Sequence, residues 1–280
     1  MVREEPESRN LSGRVIIMSG GSRGIGLAIA LRAARDGASV ALLAKTSEPH
    51  PRLPGTVYSA AAEIERAGGN ALPIVGDVRD DDLVADAVQR TVAAFGSLDI
   101  CVNNASAIDL STTEALAMKR YDLMQDINTR GTFLLSKTSL THLRKSTNPH
   151  ILTLSPPLNL SPRWLGSHLG YTIAKYGMSL CTLGLADELR DDGIAVNSLW
   201  PRTPIATAAV ENNAGSEMRE RSRSPEIMAD AAYSILTRDA RDCTGNFFLD
   251  DAVLAEAGVT DLSRYALGPE RNLGKDLFLD

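Results

Sequence analysis

The sequence predicts an α/β fold: one domain built on a doubly wound parallel sheet flanked by helices. Three observations predict it. Short β-branched and apolar runs alternate with longer segments of helical spacing along most of the chain. A glycine-rich turn stands where the first such run becomes the first helical segment. No linker, internal repeat or low-complexity stretch divides the 280 residues, and right-handed crossovers then put helices on both faces of a single sheet.

The elements follow in order. Residues 15–18 are the first apolar run. Residues 24–36 read as a helix, with Ile25, Ala28, Ile29 and Arg32 at helical spacing and Gly37 as the stop. Residues 39–44 form the second strand, 56–67 a helix ended by Gly68 and Gly69, and 71–75 the third strand. Residues 80–95 form a helix whose acidic start suits the positive end of the helix dipole. The fourth strand is 98–102, and helical stretches follow as far as Arg144. Residues 151–154 are a strand, 168–190 a long helix, and 194–199 a strand preceded by Gly193. Ser224, Pro225 and Glu226 start a further helix, with serine as N-cap and proline in the first turn. Residues 247–249 are the last strand. The main domain is expected over 11–250, with 251–280 a C-terminal extension packed on it.

Composition narrows the function. With 44% hydrophobic residues the chain can bury a sizeable core. A net charge of −6 argues against nucleic acid as the main partner, because a phosphate-binding face needs a basic patch. The basic run from Arg219 to Arg223 is broken by Glu220 and serines and reads as a solvated loop. Cys101, Cys181 and Cys243 are far apart and lack CxxC spacing, so they read as reduced thiols, the first two buried, in a cytoplasmic protein. His50, His142, His150 and His168 have no metal-ligand spacing and read as loop or surface residues; no metal is expected. The first ten residues are polar and acidic, unlike a signal or transit peptide. No apolar run is long enough to span a membrane.

Two groups of residues carry chemistry. Ser19, Gly20, Gly21, Ser22, Arg23, Gly24, Ile25 and Gly26 form the glycine-rich turn. Glycines let a backbone approach a pyrophosphate, and a helix N-terminus adds unpaired N–H groups and a positive dipole end. The spacing departs from the strict GxGxxG fingerprint, so a plain tight connection stays open on the turn alone. Tyr171 and Lys175 stand four apart in the predicted helix 168–190, which puts both on one face. A free phenol has a pKa of about 10. A neighbouring ammonium favours the phenolate, which makes the pair a candidate general acid/base. A solvated helix face carries the same spacing often.

With these residues on view, the chain resembles the short-chain dehydrogenase/reductase family over roughly residues 11 to 250. The family's TGxxxGxG turn is matched with Ser19 in place of Thr. Its NNAG motif is matched by Asn103, Asn104 and Ala105, with Ser106 in place of Gly. Its helix asparagine is matched by Asn128, and its YxxxK by Tyr171 and Lys175. Residues 45–51, 155–160 and 199–201 are further similar to the hydroxysteroid dehydrogenase-like protein 2 branch. Members of that branch can carry a C-terminal sterol-carrier domain, and none is expected within these 280 residues.

The resemblance implies a Rossmann-type fold and an oxidoreductase acting on CH–OH or C=O with a nicotinamide cofactor, which supplies the hydride step. In this reading Tyr171 gives a proton to a carbonyl oxygen as hydride arrives, or takes it from an alcohol in reverse. Lys175 lowers the tyrosine's pKa and binds the nicotinamide ribose. Asn128 holds a water that links Lys175 to solvent. Asp77 and Val78 line the adenine, Asn104 and Ala105 border the ribose, and backbone near Pro201, Thr203 and Ile205 meets the nicotinamide amide. The implied assembly is a homo-oligomer, tetramer or dimer, through the helices that carry Asn128 and Tyr171. Phe133, Leu134, Met178, Leu180 and Leu183 permit that contact and equally suit packing on the chain's own sheet.

Charge at the end of the second strand separates the two cofactors. A carboxylate there would bond the ribose 2′-hydroxyl of NAD, whereas a cation would accept the 2′-phosphate of NADP. Leu43-Ala44-Lys45-Thr46 has no acid, and Arg23 can reach the same phosphate. NADP(H) is therefore expected over NAD(H), against the alternative that both cations are ordinary surface charges. The three prolines between Glu48 and Gly55 predict a stiff surface loop.

The sequence departs from the family at its serine. The substrate-bonding serine usually stands second in a Ser-Ser pair after the fifth strand, and Pro156 occupies that position here. Ser155 is expected to contribute instead, with Asn159 and Ser161 as loop alternatives. Loss of one oxyanion donor costs on the order of 100- to 1000-fold in rate. Arg202 replaces a family glycine after Pro201 and reads as solvent-facing. Ile108, Pro157, Leu158, Leu160, Trp164 and Leu165 are expected to wall an apolar pocket for a lipophilic alcohol or ketone, under a lid at 203–222. Core or subunit packing stays equally open for Trp164 and the leucines. Two functions therefore stand side by side. Tyr171, Lys175 and Asn128 favour an NADP(H)-dependent oxidoreductase. Pro156 favours a nucleotide-binding sensor or scaffold with little turnover.

Overall fold

The computed structural model describes residues 10–49, 54–208, 210 and 217–280. Its strands are β1 (Val15–Ser19), β2 (Ser39–Ala44), β3 (Asn70–Val75), β4 (Ile100–Asn103), β5 (His150–Thr153), β6 (Ala195–Trp200) and β7 (Phe247–Leu249). All pair in parallel, in the order β3-β2-β1-β4-β5-β6-β7. β1 has β2 on one side and β4 on the other, with Ser19 in register with both Leu43 and Asn103. The winding reverses there, and such a switch point opens a crevice beyond the carboxyl ends of the strands.

Side chains alternate between the two faces of a strand. Ile16 and Met18 of β1 enter one core with Val40, Leu42, Ile29, Ile64, Ile227 and Ile235. Val15 and Ile17 enter the other with Leu43, Cys101, Val84, Leu135, Leu185 and Val196. Both faces are thus dry, and each fully buried aliphatic side chain contributes roughly 1.5–3 kcal/mol.

The helices are α1 (Gly24–Ala34), α2 (Val57–Arg66), α3 (Asp81–Phe95), α4 (Met118–Met124), α5 (Gly131–Leu143), α6 (Pro162–Ser167) and α7 (Leu169–Glu188). Later helices cover Glu217–Glu220, Glu226–Leu236 and Asp250–Glu256. Local chemistry sets their ends. Thr56 and Ser59 form a reciprocal capping box at α2. The Asp80 carboxylate accepts from Asp82 N and Leu83 N at 3.1 Å to start α3. Between α4 and α5 the helix widens into a π turn, Gln125–Arg130, which the sequence pattern does not reveal.

Several expectations change. His150 is no loop residue: it begins β5, is 1% exposed, and its Nε2 meets Arg238 O at 3.2 Å. Cys181 is half-buried, while Cys101 and Cys243 are the buried pair. Ser224 makes no side-chain cap; its N–H donates to Tyr265 O at 2.7 Å. His50 and part of the proline-rich loop lie outside the described residues, as do 209 and 211–216 of the expected lid and the first nine residues. Among the described residues no helix is long and apolar enough to cross a membrane, and no cluster of three metal-ligating side chains occurs.

Candidate active site

Helix α7 carries Tyr171 and Lys175 one turn apart, and both line a cavity of about 380 Å³. The walls are otherwise mostly apolar, with Ile25, Ile108, Leu154, Trp200, Ile205 and Met228 among them. Tyr171 is 5% exposed and Lys175 3%. Lys175 Nζ donates to Leu154 O at 2.6 Å and lies 4.9 Å from the centre of the Trp200 ring. Burial lowers the Lys175 ammonium to about 7, against the opposing effect of the Asp276 carboxyl. Burial also pushes the Tyr171 phenol above its usual range, and Asp276 adds to that. Burial dominates at Tyr171, because a phenolate loses its solvation in this cavity, and the expected lowering by Lys175 is not among the effects on it.

Asn128 is fully buried in the π turn. Its Oδ1 accepts from Ala107 N at 2.7 Å and its Nδ2 donates to Ala107 O at 3.0 Å. The side chain thus pins the segment after β4 instead of lining the cavity. The π turn also packs tightly on α7: Thr129 Oγ1 donates to Ala174 O at 3.1 Å, and a Cβ at Gly177 would stand 2.3 Å from Thr129 Oγ1.

The end of the chain closes the cavity from the other side. Gly274 N donates to Arg221 O, and Asp276 N to Arg202 O at 3.0 Å. Trp200 Nε1 donates to Leu277 O at 3.0 Å. The Phe278 ring packs among Tyr171, Tyr176, Trp164 and Trp200 with centroids 5.3–6.1 Å away. Phe278 holds a φ of 70°, a left-handed conformation that is uncommon for a bulky residue. Asp276 and Leu277 line the cavity.

This tail corrects the expected pocket wall. Of the six residues named for it, only Ile108 lines the cavity. Leu158, Trp164 and Leu165 pack in the cluster around Phe278 instead, Leu160 is 73% exposed, and Pro157 is half-buried. Arg202 is not simply solvent-facing either: its Nε pairs with Asp251 at 2.9 Å and its N–H donates to Asp250 Oδ1 at 2.8 Å.

The serine expectation changes too. Ser155 is fully buried, its hydroxyl shares a hydrogen bond of 2.8 Å with Ser198, and Ser198 bonds Thr182 at 2.8 Å. Ser155 lines neither this cavity nor the one beside it. Asn159 Nδ2 is engaged by Phe278 O and Asp280, and Ser161 precedes α6 outside the cavity.

The neighbouring cavity, of about 430 Å³, lies over the glycine turn. It is lined by Gly20, Ser22, Arg23, Gly24, Ile25, Lys45, Asp77, Val78, Asn104 and Ala105, among others, and shares Ile25, Asn104, Ser106 and Thr207 with the first. Gly20 holds φ at 73°, and a Cβ there would stand 2.8 Å from Ala105 Cα. Ser19 Oγ accepts from Asn104 N and Ala105 N at 3.2 Å, and Asn104 Nδ2 donates to Gly20 O at 2.9 Å, which ties the turn to the end of β4. Gly21 and Gly26 are buried at the back of the turn. Pro201 and Ile205 line the first cavity, whereas Thr203 is buried, its hydroxyl without a partner among the described residues.

A family model described as short chain dehydrogenase matches residues 14–217. The chain belongs to the short-chain dehydrogenase/reductase family. Hydroxysteroid dehydrogenase-like protein 2 of Xenopus laevis is 54% identical over 275 residues, covering 98% of this chain and 66% of the relative. The Homo sapiens protein of that name is 50% identical over 275 residues, covering 98% and 65%. The chain thus spans 66% and 65% of the length of these two curated relatives. A crystal structure of a short chain dehydrogenase from Mycobacterium thermoresistibile shares 58% identity with a TM-score of 0.92, covering 97% of this chain and 96% of that one.

Short-chain dehydrogenase/reductases use a nicotinamide cofactor, and the second cavity has features that fit one. Gly20 leaves the backbone approachable, and among the described residues Arg23 Nε is buried without a hydrogen-bond partner while Nη2 donates to Gly55 O at 2.9 Å. Lys45 is less free than its sequence position implies. It pairs with Asp77 at 3.0 Å, and Arg79 pairs with the same carboxylate at 2.7 Å. Those two cations hold the Asp77 acid far below the usual carboxylate range. Asp276 and Phe278 escaped sequence reasoning: the family's motifs end before them, and the tail has no periodicity. The apolar pair Phe278-Leu279 in a polar terminus was the one available signal.

Proposed function

We propose that the chain is an NADP(H)-dependent oxidoreductase that moves a hydride between the nicotinamide and a lipophilic alcohol or ketone, with Tyr171 as acid/base. The observation that carries this reading is the placement of Tyr171 and Lys175 in an apolar cavity that shares wall residues with the cavity over the glycine turn. NADP(H), when bound, supplies the hydride. In the reductive direction Tyr171 Oη gives its proton to the substrate oxygen, and the Lys175 ammonium, one turn away, stabilises the phenolate left behind. Burial keeps the phenol protonated until then. Asn128 acts through Ala107 by holding the segment after β4 in place. Arg23, whose Nε has no partner among the described residues, and Lys45 favour the 2′-phosphate of NADP over NAD.

The apolar face formed by Phe133, Ile173, Leu180 and Leu183, each between 41% and 58% exposed, supports a homo-oligomer through α5 and α7. Free thiols at all three cysteines suit a reducing compartment such as the cytoplasm. A second reading, a nucleotide-binding sensor with little turnover, is favoured by the absence of Ser155 from the cavity. Stopped-flow absorbance of NADPH against a panel of lipophilic ketones separates the two. The oxidoreductase reading expects oxidation that Tyr171→Phe reduces on the order of 100- to 10,000-fold while NADPH still binds. Binding without oxidation by any ketone favours the sensor.

A further inference from the structure

We propose that Asp276, from the C-terminal tail, donates the hydrogen bond to the substrate oxygen that no serine at the end of β5 provides in this chain. The inference rests on the oxidoreductase reading above and names a further catalytic residue for it.

Three observations converge on Asp276. It lines the same cavity as Tyr171 and Lys175. The alternatives are engaged elsewhere: Ser155 with Ser198, and Asn159 with Phe278 and Asp280. The tail also holds the acid in place. Asp276 N donates to Arg202 O, and Oδ1 accepts from Leu277 N at 2.6 Å, while Oδ2 has no protein partner among the described residues. A hydrogen-bond donor aimed at a developing oxyanion needs this kind of fixed mounting.

To donate, the carboxyl must carry its proton. Burial pushes Asp276 up to about 7, and the carboxyl of Asp250, from the helix Asp250–Glu256, pushes the same way. Lys175 from α7 pulls against them. The Lys275 ammonium, next in the chain, donates to Asp280 O, and the Arg202 guanidinium pairs with Asp251. Near neutral pH a sizeable fraction of Asp276 therefore carries its proton, and a protonated carboxyl in an apolar site is a known kind of oxyanion donor. In the reductive step hydride adds to the carbonyl carbon and the C=O π pair moves to oxygen. Tyr171 Oη then transfers its proton to that oxygen. Asp276 stabilises the developing charge and keeps its own proton, and Tyr171 regains one from solvent.

The test compares Asp276→Ala, Asp276→Asn and Asp276→Leu with the unmodified full chain, using NADPH and two probe ketones, 2-decanone and 9,10-phenanthrenequinone. Asn still donates; Ala and Leu do not. Turnover should fall on the order of 100- to 1000-fold in the Ala and Leu variants and stay within about ten-fold in the Asn variant. NADPH affinity, read by fluorescence titration, should stay level in all of them. Leu, of nearer volume, decides if the Ala variant does not fold. If Asn is as damaging as Ala, the charge of Asp276 matters and the donor role is overturned; if neither changes turnover, Asp276 has no role. If the unmodified protein binds NADPH and oxidises it with neither ketone, the oxidoreductase reading fails and this inference falls with it.

Discussion

The ring of Phe278 stands 6.1 Å from the ring of Tyr171, centre to centre, so the last residues of the chain back the residue expected to move the proton. Phe278 is 2% exposed. Truncating it removes the hub of an aromatic cluster, and Phe278→Ala should cost roughly 3–5 kcal/mol. Because Phe278 holds a positive φ, Phe278→Gly should be no less stable than Phe278→Ala, the reverse of the usual order. Urea midpoints of the two variants check this.

Ser155 should be dispensable for turnover. Its hydroxyl faces Ser198 and lines neither cavity. Ser155→Ala should leave kcat within about two-fold and cost about 1 kcal/mol of stability through the lost hydrogen bond to Ser198, whose hydroxyl keeps Thr182. A large loss of kcat with unchanged melting would return Ser155 to the mechanism.

Arg23 should matter more to cofactor choice than Lys45. The Lys45 side chain is 59% exposed and paired with Asp77, whereas Arg23 Nε is buried and has no partner among the described residues. Arg23→Gln should weaken NADPH binding about 10- to 100-fold and leave NADH binding level. Lys45→Gln should weaken NADPH binding less than about five-fold. Fluorescence titrations with both nucleotides measure this. Equal affinity of the unmodified chain for NADH and NADPH would refute the NADP preference.

Acid should destabilise the fold through His150. Burial lowers its imidazolium to about 4 from an ordinary 6.5, with the carbonyl of Arg238 opposing. Between those values the unfolded chain binds a proton that the native state does not, so stability is lost as pH falls from about 6.5 toward 4, by roughly 3 kcal/mol. His150→Gln keeps a donor for Arg238 O and should flatten that part of the curve of melting temperature against pH.

What the chain shows in sequence is what is local. Strand alternation, the glycine turn and the Tyr171–Lys175 spacing depend on neighbours within a few residues, and the sheet and the pair follow. Strand ends shifted by a residue or two, enough to turn His150 from a loop residue into the buried first residue of β5. Ser155 could not be placed from its neighbours, because its hydroxyl is claimed by Ser198 on the neighbouring strand β6. Lys45 looked free because its partner, Asp77, follows a different strand. Asp276 and Phe278 reach the cavity only through the long return of the tail. The π turn left no mark in composition, since its wider hydrogen-bond ring asks for no particular residue.

That turn behaves like a one-residue insertion frozen inside a continuous rod. Each helical residue advances the azimuth by about 100°. Deleting Ile127 would let the hydrogen-bond ladder close as an ordinary helix, while everything on one side swings by that angle relative to the other. Ala107 would lose its amide clasp, Gly177 would face a different neighbour than Thr129, and the buried Leu135 and Leu143 would swing off the core they now face. The segment therefore depends on its length as much as on the side chains of Asn128 and Thr129.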